Sequence, residues 1–437
     1  MTNTARSIAL ETLMSVLQNK SYSNLSLNNN LRQAKLSVTD QNLATNLVYG
    51  TIQYKIYLEY QLKGLVKTKL TEKYLEPLLL MSIYQIQFLD KIPTRAVLDE
   101  ANKLAKKFGK HHSAGYRIVN GILRAFVRRG EILPNKNDEV EYLSVKESFP
   151  KWLVEYFIKN WGLKKTEKML ISLNQPAKNS VRLALKDQKQ TFFQLKKLGF
   201  NPEFSALASD SVILSHGGIV DTPLFKEGKL TVQDEAASLV VDAFDFKGDE
   251  EVLDACSAPG GKTVQIAEHL TTGHVTALDI HKKKLNLVHQ NAERMDVADK
   301  VSTKAIDARK VDECFSKGEF AKILIDAPCS GLGLLRRKPE IRYSKTKQDL
   351  INLQKIQLDI LDHVSGLLAQ NGELVYSTCS ISIQENEEVV EKFLKSHPNF
   401  ELSKFKAGNL TSNGMLKILP DSYDSDGFFI AKFKLRG

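Results

Sequence analysis

Two of the four cysteines stand in short turns that follow β-rich runs, Cys329 in Asp326-Ala-Pro-Cys-Ser-Gly and Cys379 in Tyr376-Ser-Thr-Cys-Ser. A single cysteine is most often a small buried hydrophobe, but two at the ends of adjacent strands would turn both thiols into one cleft. Carbon 5 of cytosine is a poor nucleophile until a group adds to carbon 6 and breaks the ring's conjugation, and a thiolate can make that addition. An acid at the ring nitrogen helps it, and Asp326 is placed to serve if burial favours its protonated form. Methylation of an exocyclic amine or a 2′-hydroxyl needs no such adduct, so paired cysteines point to carbon methylation. A nitrogen methyltransferase would carry Asn-Pro-Pro-aromatic where this chain has Asp326 to Cys329. Residue types and spacing do not say which thiol attacks.

An earlier strand, 251–256, runs into Asp254-Ala255-Cys256-Ser257-Ala258-Pro259-Gly260-Gly261-Lys262 and then a helical stretch, TVQIAEHL. Ligands of open α/β sheets bind beyond the carboxyl ends of the strands. Adjacent Gly260 and Gly261 let the backbone pass close to one, and a helix start offers amides to a carboxylate. Asp279 ends the next strand, where an acid can bind ribose hydroxyls, and Asp307 ends the one after. G-x-G-x-x-G and the Walker lysine arrangement are both absent. S-adenosylmethionine needs acidic groups for its ammonium and ribose and no pyrophosphate cradle, so Asp254, Asp279 and Asp307 suit it. Cys256, in the cofactor turn, and Cys314, in a polar stretch, receive no catalytic role. With no C-x-x-C pair, a structural zinc site lacks its usual spacing and no metal is expected. Few cysteines also fit a reducing, cytoplasmic setting.

The elements that must position these residues follow from patterning. Strand-then-helix alternation from residue 231, with strands at 251–256, 274–280, 301–307, 322–328 and 373–379, predicts a doubly wound, Rossmann-like α/β domain over 231–437, closed by an antiparallel hairpin. Residues 1–130 read as all-α, with stripes at Ala9, Leu13, Val16, Leu17 and at Leu78, Leu79, Ser82, Ile83, Ile86. Residues 131–150 read as a linker by composition. Residues 151–230, opening with the aromatic helix around Trp152, Tyr156, Phe157 and Trp161, read as a small α+β module. Length supports such a multidomain chain, and no run approaches the roughly 18 apolar residues a membrane helix needs.

The charge is +10 and sits unevenly: residues 1–130 hold 19 basic and eight acidic side chains, the rest 42 and 43. Residues 101–130 carry eight Lys or Arg and no acid. Lys103, Lys106, Lys107 and Lys110 share helical spacing. A buried stripe of Ile118, Ile122, Leu123 and Phe126 leaves Arg117, Arg124 and Arg128 outward, a nucleic-acid footprint as a group. After Cys329, GLGLLRRKPEIRY brings Arg336, Arg337, Lys338 and Arg342 toward the cleft, as phosphate contacts or as a solvated loop.

DACSAPGGK, DAPCSGLG, RRKPEI, YSTCS and the upstream VQDEAASLV resemble the Sun (Nop2/Sun) family of RNA cytosine-5 methyltransferases, especially its bacterial 16S ribosomal RNA branch, over residues 231–437. Residues 1–130 resemble, more weakly, the helical NusB-type RNA-binding domain that precedes the catalytic part there. The resemblance implies Cys379 as the nucleophile and Cys329 as the residue that assists product release. It also implies S-adenosylmethionine contacts from Ala255, Cys256, Ser257, Ala258, Pro259, Gly260, Gly261, Asp279, Asp307 and Asp326. Lys262, Arg336, Arg337 and Lys338 are expected on the RNA side, and the protein is expected to be monomeric. Ser257 departs from the family's more frequent alanine, with little effect expected. A nicotinamide oxidoreductase and a non-catalytic RNA-binding scaffold remain as rival readings.

Overall fold

The computed structural model describes residues 3–19, 23–67, 69–110 and 114–436. The chain forms two compact units, Met1–Asn174 with Lys338–Ser344, and Gln175–Arg337 with Lys345–Gly437.

The first unit is helical throughout its described residues. Helix Leu75–Phe88 is buried along most of its length, which its apolar run LLLM dictates, and Ala9, Leu13, Val16, Leu78, Leu79 and Ile83 meet in one core. Helices Thr94–Phe108 and Gly115–Arg129 are amphipathic. In the second, the buried stripe is Val119, Ile122, Leu123 and Phe126, while Ile118 is 41% exposed. This corrects the expected stripe by one residue: positions 119, 122, 123 and 126 follow the i, i+3, i+4, i+7 repeat, and 118 falls about 100° away. Lys103, Lys106, Lys107, Lys110, Arg117, Arg124 and Arg128 are all exposed.

The stretch 131–150 is not an open linker. Asp138 caps helix Glu139–Lys146 by accepting from the Glu141 amide at 3.0 Å, and Glu139, Glu141 and Lys146 complement the helix dipole. Leu143, Val145 and Phe149 are buried. Helices Lys151–Trp161 and Leu163–Leu173 also belong to this unit, so the compact boundary falls at residue 174, not 150. Apolar positions scattered among polar ones had hidden this packing.

Arg342, expected at the cleft, is instead fully buried in the helical unit. Its guanidinium lies 3.9 Å from the Phe149 ring and donates from Nη1 to the carbonyls of Gln53 and Ser148 and to Asn174 Oδ1. A buried guanidinium is tolerated only when hydrogen-bonded in this way.

The second unit opens with an antiparallel sheet in the order β2-β3-β1-β4: β1 (Asn179–Leu183), β2 (Glu203–Phe204), β3 (Ser211–Leu214) and β4 (Leu230–Val232). Helix Gln188–Lys197 packs Leu195 into it. The large sheet contains β5 (Glu251–Asp254), β6 (His274–Leu278), β7 (Val301–Lys304), β8 (Phe320–Asp326) and β9 (Leu368–Thr378), all parallel, in the order β9-β8-β5-β6-β7. β10 (Phe400–Leu402), the two-stranded ribbon of β11 (Phe405–Ala407) and β12 (Leu410–Ser412), β13 (Met415–Ile418) and β14 (Phe428–Leu435) complete the unit. β14 runs antiparallel beside β9, with β10 and β13 paired to it. The central strands bury consecutive apolar residues, Val252-Leu253 in β5 and Ile323-Leu324-Ile325 in β8, as strands covered on both faces do. The chain order reverses between β8 and β5, which opens a crevice at their carboxyl ends.

Candidate active site

β8 and β9 are neighbours, with Asp326 opposite Ser377 in register. Asp326 is the last residue of β8 and Cys329 follows it by three; Thr378 is the last of β9 and Cys379 follows at once. The strands therefore deliver both thiols to one end of the sheet. Cys329 Sγ and Cys379 Sγ lie 3.2 Å apart, each half-buried. The hydrogen bond to Cys379, followed by burial, pushes the Cys329 thiol well above its ordinary range. Close backbone approach holds these turns: the Gly333 amide donates to the Cys379 carbonyl at 3.0 Å, and a Cβ on Gly333 would stand 1.9 Å from the Gly427 carbonyl oxygen.

Asp326 accepts from Lys262 Nζ through Oδ2 at 2.8 Å and from the Ser377 hydroxyl through Oδ1 at 2.8 Å. Lys262 also lies 5.1 Å from the Phe428 ring centre. Burial opposes the lysine's charge, but Asp326 outweighs it and holds the ammonium above its usual range. The site thus joins a cation, a carboxylate acceptor and two sulfurs.

The turn after β5 is built for a ligand. Ser257 donates to the Leu278 carbonyl from both its amide, at 2.8 Å, and its hydroxyl, at 2.9 Å, fastening the turn to the end of β6. The hydroxyl that departs from the family's alanine thus has a partner. Gly260 sits at φ +105°, a conformation that favours glycine, and a Cβ there would come within 2.8 Å of Val288 Cα. Gly261 begins helix Gly261–His269. Asp254 is fully buried; Thr263 donates to its Oδ2 at 2.7 Å, while Oδ1 has no partner among the described residues. Burial raises its carboxyl to about 7. A buried acceptor without a donor, beside a glycine-lined turn, fits the ammonium end of an amino-acid-bearing cofactor.

Asp279 follows β6 and accepts from the His281 amide at 2.7 Å. Asp307 accepts from Arg309 Nε at 3.0 Å and Nη2 at 2.6 Å, and that arginine draws its carboxyl below the ordinary range. Burial, reinforced by the surrounding carboxylates, pushes the Cys256 thiol far up.

The arginines expected to meet phosphates are engaged elsewhere. Arg336, with a side chain 1% exposed, pairs with Asp424 and donates to the Pro420 carbonyl. Arg337 bridges Asp426 at 2.6 Å and Asp234 at 2.9 Å. These guanidiniums brace loops, which corrects the phosphate reading for both; Lys338 alone of that run is exposed. Sequence reading missed Glu385, which is fully buried between the two cysteine turns. Its only sequence signal is a Gln/Glu/Asn run after the second cysteine, Gln384 to Glu388, which reads as an ordinary helix start.

A doubly wound sheet with its crevice, glycine turn and strand-end acids, preceded by a helical unit, defines a Rossmann-like methyltransferase with an added helical domain. Residues 241–434 match the family described as 16S rRNA methyltransferase RsmB/F, and residues 3–128 match the NusB family. The chain is 40% identical over 446 residues to the probable ribosomal RNA small subunit methyltransferase B of Bacillus subtilis, covering 99% of each. It is 33% identical over 407 residues to ribosomal RNA small subunit methyltransferase B of Serratia proteamaculans, covering 92% of each. It belongs to this ribosomal RNA small subunit methyltransferase family. Among solved structures, PH0851 superposes with a TM-score of 0.83 at 24% identity, over 99% of both chains. NSun6 from Pyrococcus horikoshii, solved with SFG, has a TM-score of 0.60 at 21% identity, over 67% of this chain and 99% of that one. Among the described residues, no helix is long and apolar enough to cross a membrane.

Proposed function

We propose that the protein methylates carbon 5 of one cytosine in 16S ribosomal RNA, using S-adenosylmethionine and a transient bond from Cys379 to carbon 6. The observation that carries this reading is the 3.2 Å separation of the Cys329 and Cys379 sulfurs beside the Lys262–Asp326 pair. Transfer to an amine or hydroxyl has no use for two adjacent thiols. Family membership supplies the ribosomal RNA substrate class.

Asp254, the backbone of Ala255 to Gly261, and the acids Asp279 and Asp307 would hold the cofactor, with Asp326 at the reacting end. S-adenosylmethionine, when bound, supplies an electrophilic methyl group. The flipped-out cytosine presents an amine donor and ring acceptors, which a carboxylate and an ammonium complement. Asp326 accepts from the amine, and Lys262 hydrogen-bonds an acceptor edge, drawing electron density from the ring as Cys379 sulfur bonds to carbon 6. Asp326 is thereby an acceptor held by Lys262 and Ser377, a different part from the proton donor expected from sequence. Cys379 gives up its thiol proton to solvent on addition; carbon 5 gains the methyl group and passes its own proton to solvent, and the carbon–sulfur bond then breaks, its electron pair returning to the Cys379 sulfur as the ring double bond is restored. Cys329, whose thiol keeps its proton, stands next to the departing sulfur and stabilises it. The exposed basic residues of 101–128 and Lys338 supply phosphate contacts, and the protein works in the cytoplasm as a monomer.

The test is a pair of variants assayed on unmodified small-subunit RNA. Cys379→Ala abolishes methyl transfer, whereas Cys329→Ala forms the protein–RNA bond and accumulates it. Methylation by the Cys379 variant at the normal rate would refute the covalent route.

A further inference from the structure

Both cysteines sit in turns rather than in strands, so the sheet alone does not fix their separation. What joins the turns is a buried carboxylate. Glu385 Oε1 accepts the Ser330 amide at 2.6 Å and Gln357 Nε2 at 3.3 Å; Oε2 accepts the hydroxyls of Ser330 at 2.5 Å and Ser380 at 2.6 Å. Ser330 follows Cys329 and Ser380 follows Cys379, so one carboxylate grips the residue after each thiol. Gln357 also donates to the Pro328 carbonyl at 2.9 Å, and the Glu385 carbonyl accepts from Tyr376, three residues before Cys379, at 2.6 Å. Next along the chain, Asn386 donates to the Ser380 carbonyl at 2.9 Å and accepts from Thr378 at 2.6 Å. Glu385 and Asn386 are fully buried.

A carboxylate is the side chain this arrangement requires. Four N–H or O–H donors converge on it, and an ionised carboxylate is acceptor-only, with room for all of them. An amide in its place would either turn its N–H groups toward the Ser330 amide and Gln357, which are donors, or make both serine hydroxyls reverse from donor to acceptor. Charge-assisted hydrogen bonds of this kind are short and directional, and inside a low-dielectric site they rigidify what they connect.

We infer that Glu385 is a positioning residue that holds the Cys329 and Cys379 turns in register, so that the two sulfurs meet at one pyrimidine carbon without Glu385 touching it. This rests on the proposed two-cysteine reaction, but the register it describes can be measured apart from that reaction.

The experiment uses the full chain in a Cys314→Ser background, which removes the exposed thiol, and compares it with Glu385→Gln and, as a milder change, Ser380→Ala. The first readout is oxidation by diamide, which takes two electrons and two protons from the paired thiols, forms the Cys329–Cys379 disulfide and becomes the hydrazine. Its rate reports how closely the sulfurs are held, whatever chemistry they perform. The second is steady-state methyl transfer. Glu385→Gln should slow disulfide formation about tenfold and lower kcat about a hundredfold, with KM for RNA and cofactor within about threefold of the parent, since displacing a reacting group by an ångström costs about that much. Ser380→Ala should move both readouts in the same direction by less. If Glu385→Gln does not fold, Ser380→Ala carries the test alone. Parental disulfide and kcat values in whichever variant folds would overturn the inference. A Cys329→Ala protein that accumulates no covalent adduct would instead count against the proposed reaction, while the diamide rate still reads the register.

Discussion

Two basic stretches of this chain look alike in sequence and end in opposite environments. Lys103 to Arg128 keeps its cations in solvent, whereas Arg336, Arg337 and Arg342 are withdrawn into hydrogen bonds and ion pairs. The acids that neutralise Arg336 and Arg337 are Asp234, Asp424 and Asp426, roughly ninety to a hundred positions away. A local count of charge therefore separates a polyanion-binding face from a brace only when the bracing acids lie nearby. An arginine flanked by glycine and leucine in a loop between strands is as fit to lock loops as to meet phosphate.

The sharpest way to break this contrast is at its most buried member. Arg342→Ala leaves Asn174 Oδ1 without its donor and the Gln53 and Ser148 carbonyls with the Tyr343 hydroxyl alone, and it empties the space against Phe149, so the folded state should lose about 3 kcal/mol, read by denaturant melting of the full chain. A loss under about 0.5 kcal/mol would place Arg342 with the exposed set. On the solvent side, replacing Arg117, Arg124 and Arg128 together by Gln should leave melting nearly unchanged while weakening RNA binding about a hundredfold at physiological salt, and flattening the log–log salt slope by about 2 to 3. Equal affinity with an unaltered slope would remove that face from the RNA account.

A pH dependence separates buried from exposed charge as well. Burial raises Asp254 to about 7, against about 3.9 in an unfolded chain, so between those values the folded protein keeps a proton that the unfolded chain has released. Its contribution to stability is complete below about pH 4 and is lost as pH rises through about 7. Asp254→Asn should flatten that decline by up to about 4 kcal/mol in cofactor-free protein. Added S-adenosylmethionine should flatten it in the parent, because a bound ammonium favours the charged carboxylate.

The strands around the cleft were legible as short apolar runs ending near Asp254, Asp326 and Thr378; the adjacency of β8 and β9, expected only on condition of a doubly wound topology, carries Cys329 and Cys379 to the same place. The cofactor turn was legible from Gly260, whose left-handed backbone and contact with Val288 leave no room for a side chain. Other features were not. Leu143, Val145 and Phe149 bury a segment whose composition read as a linker, because its seven apolar residues in twenty are interspersed with prolines, asparagines and charges. Glu385 was invisible for a related reason: its partners Ser330 and Gln357 lie 55 and 28 residues away, and no spacing rule encodes a hydrogen bond across two turns. The one-residue error at Ile118 arose because Val119 is equally apolar, and packing, not hydropathy, chose between them.

The most direct test of the central claim is the mass of the cysteine peptide recovered after nuclease and protease digestion of the Cys329→Ala protein incubated with substrate RNA and S-adenosylmethionine. The account predicts a methylated cytidine nucleotide joined to the peptide that contains Cys379. A nucleotide joined through any other residue, or RNA methylated at a nitrogen or ribose oxygen with no joined peptide, would contradict it.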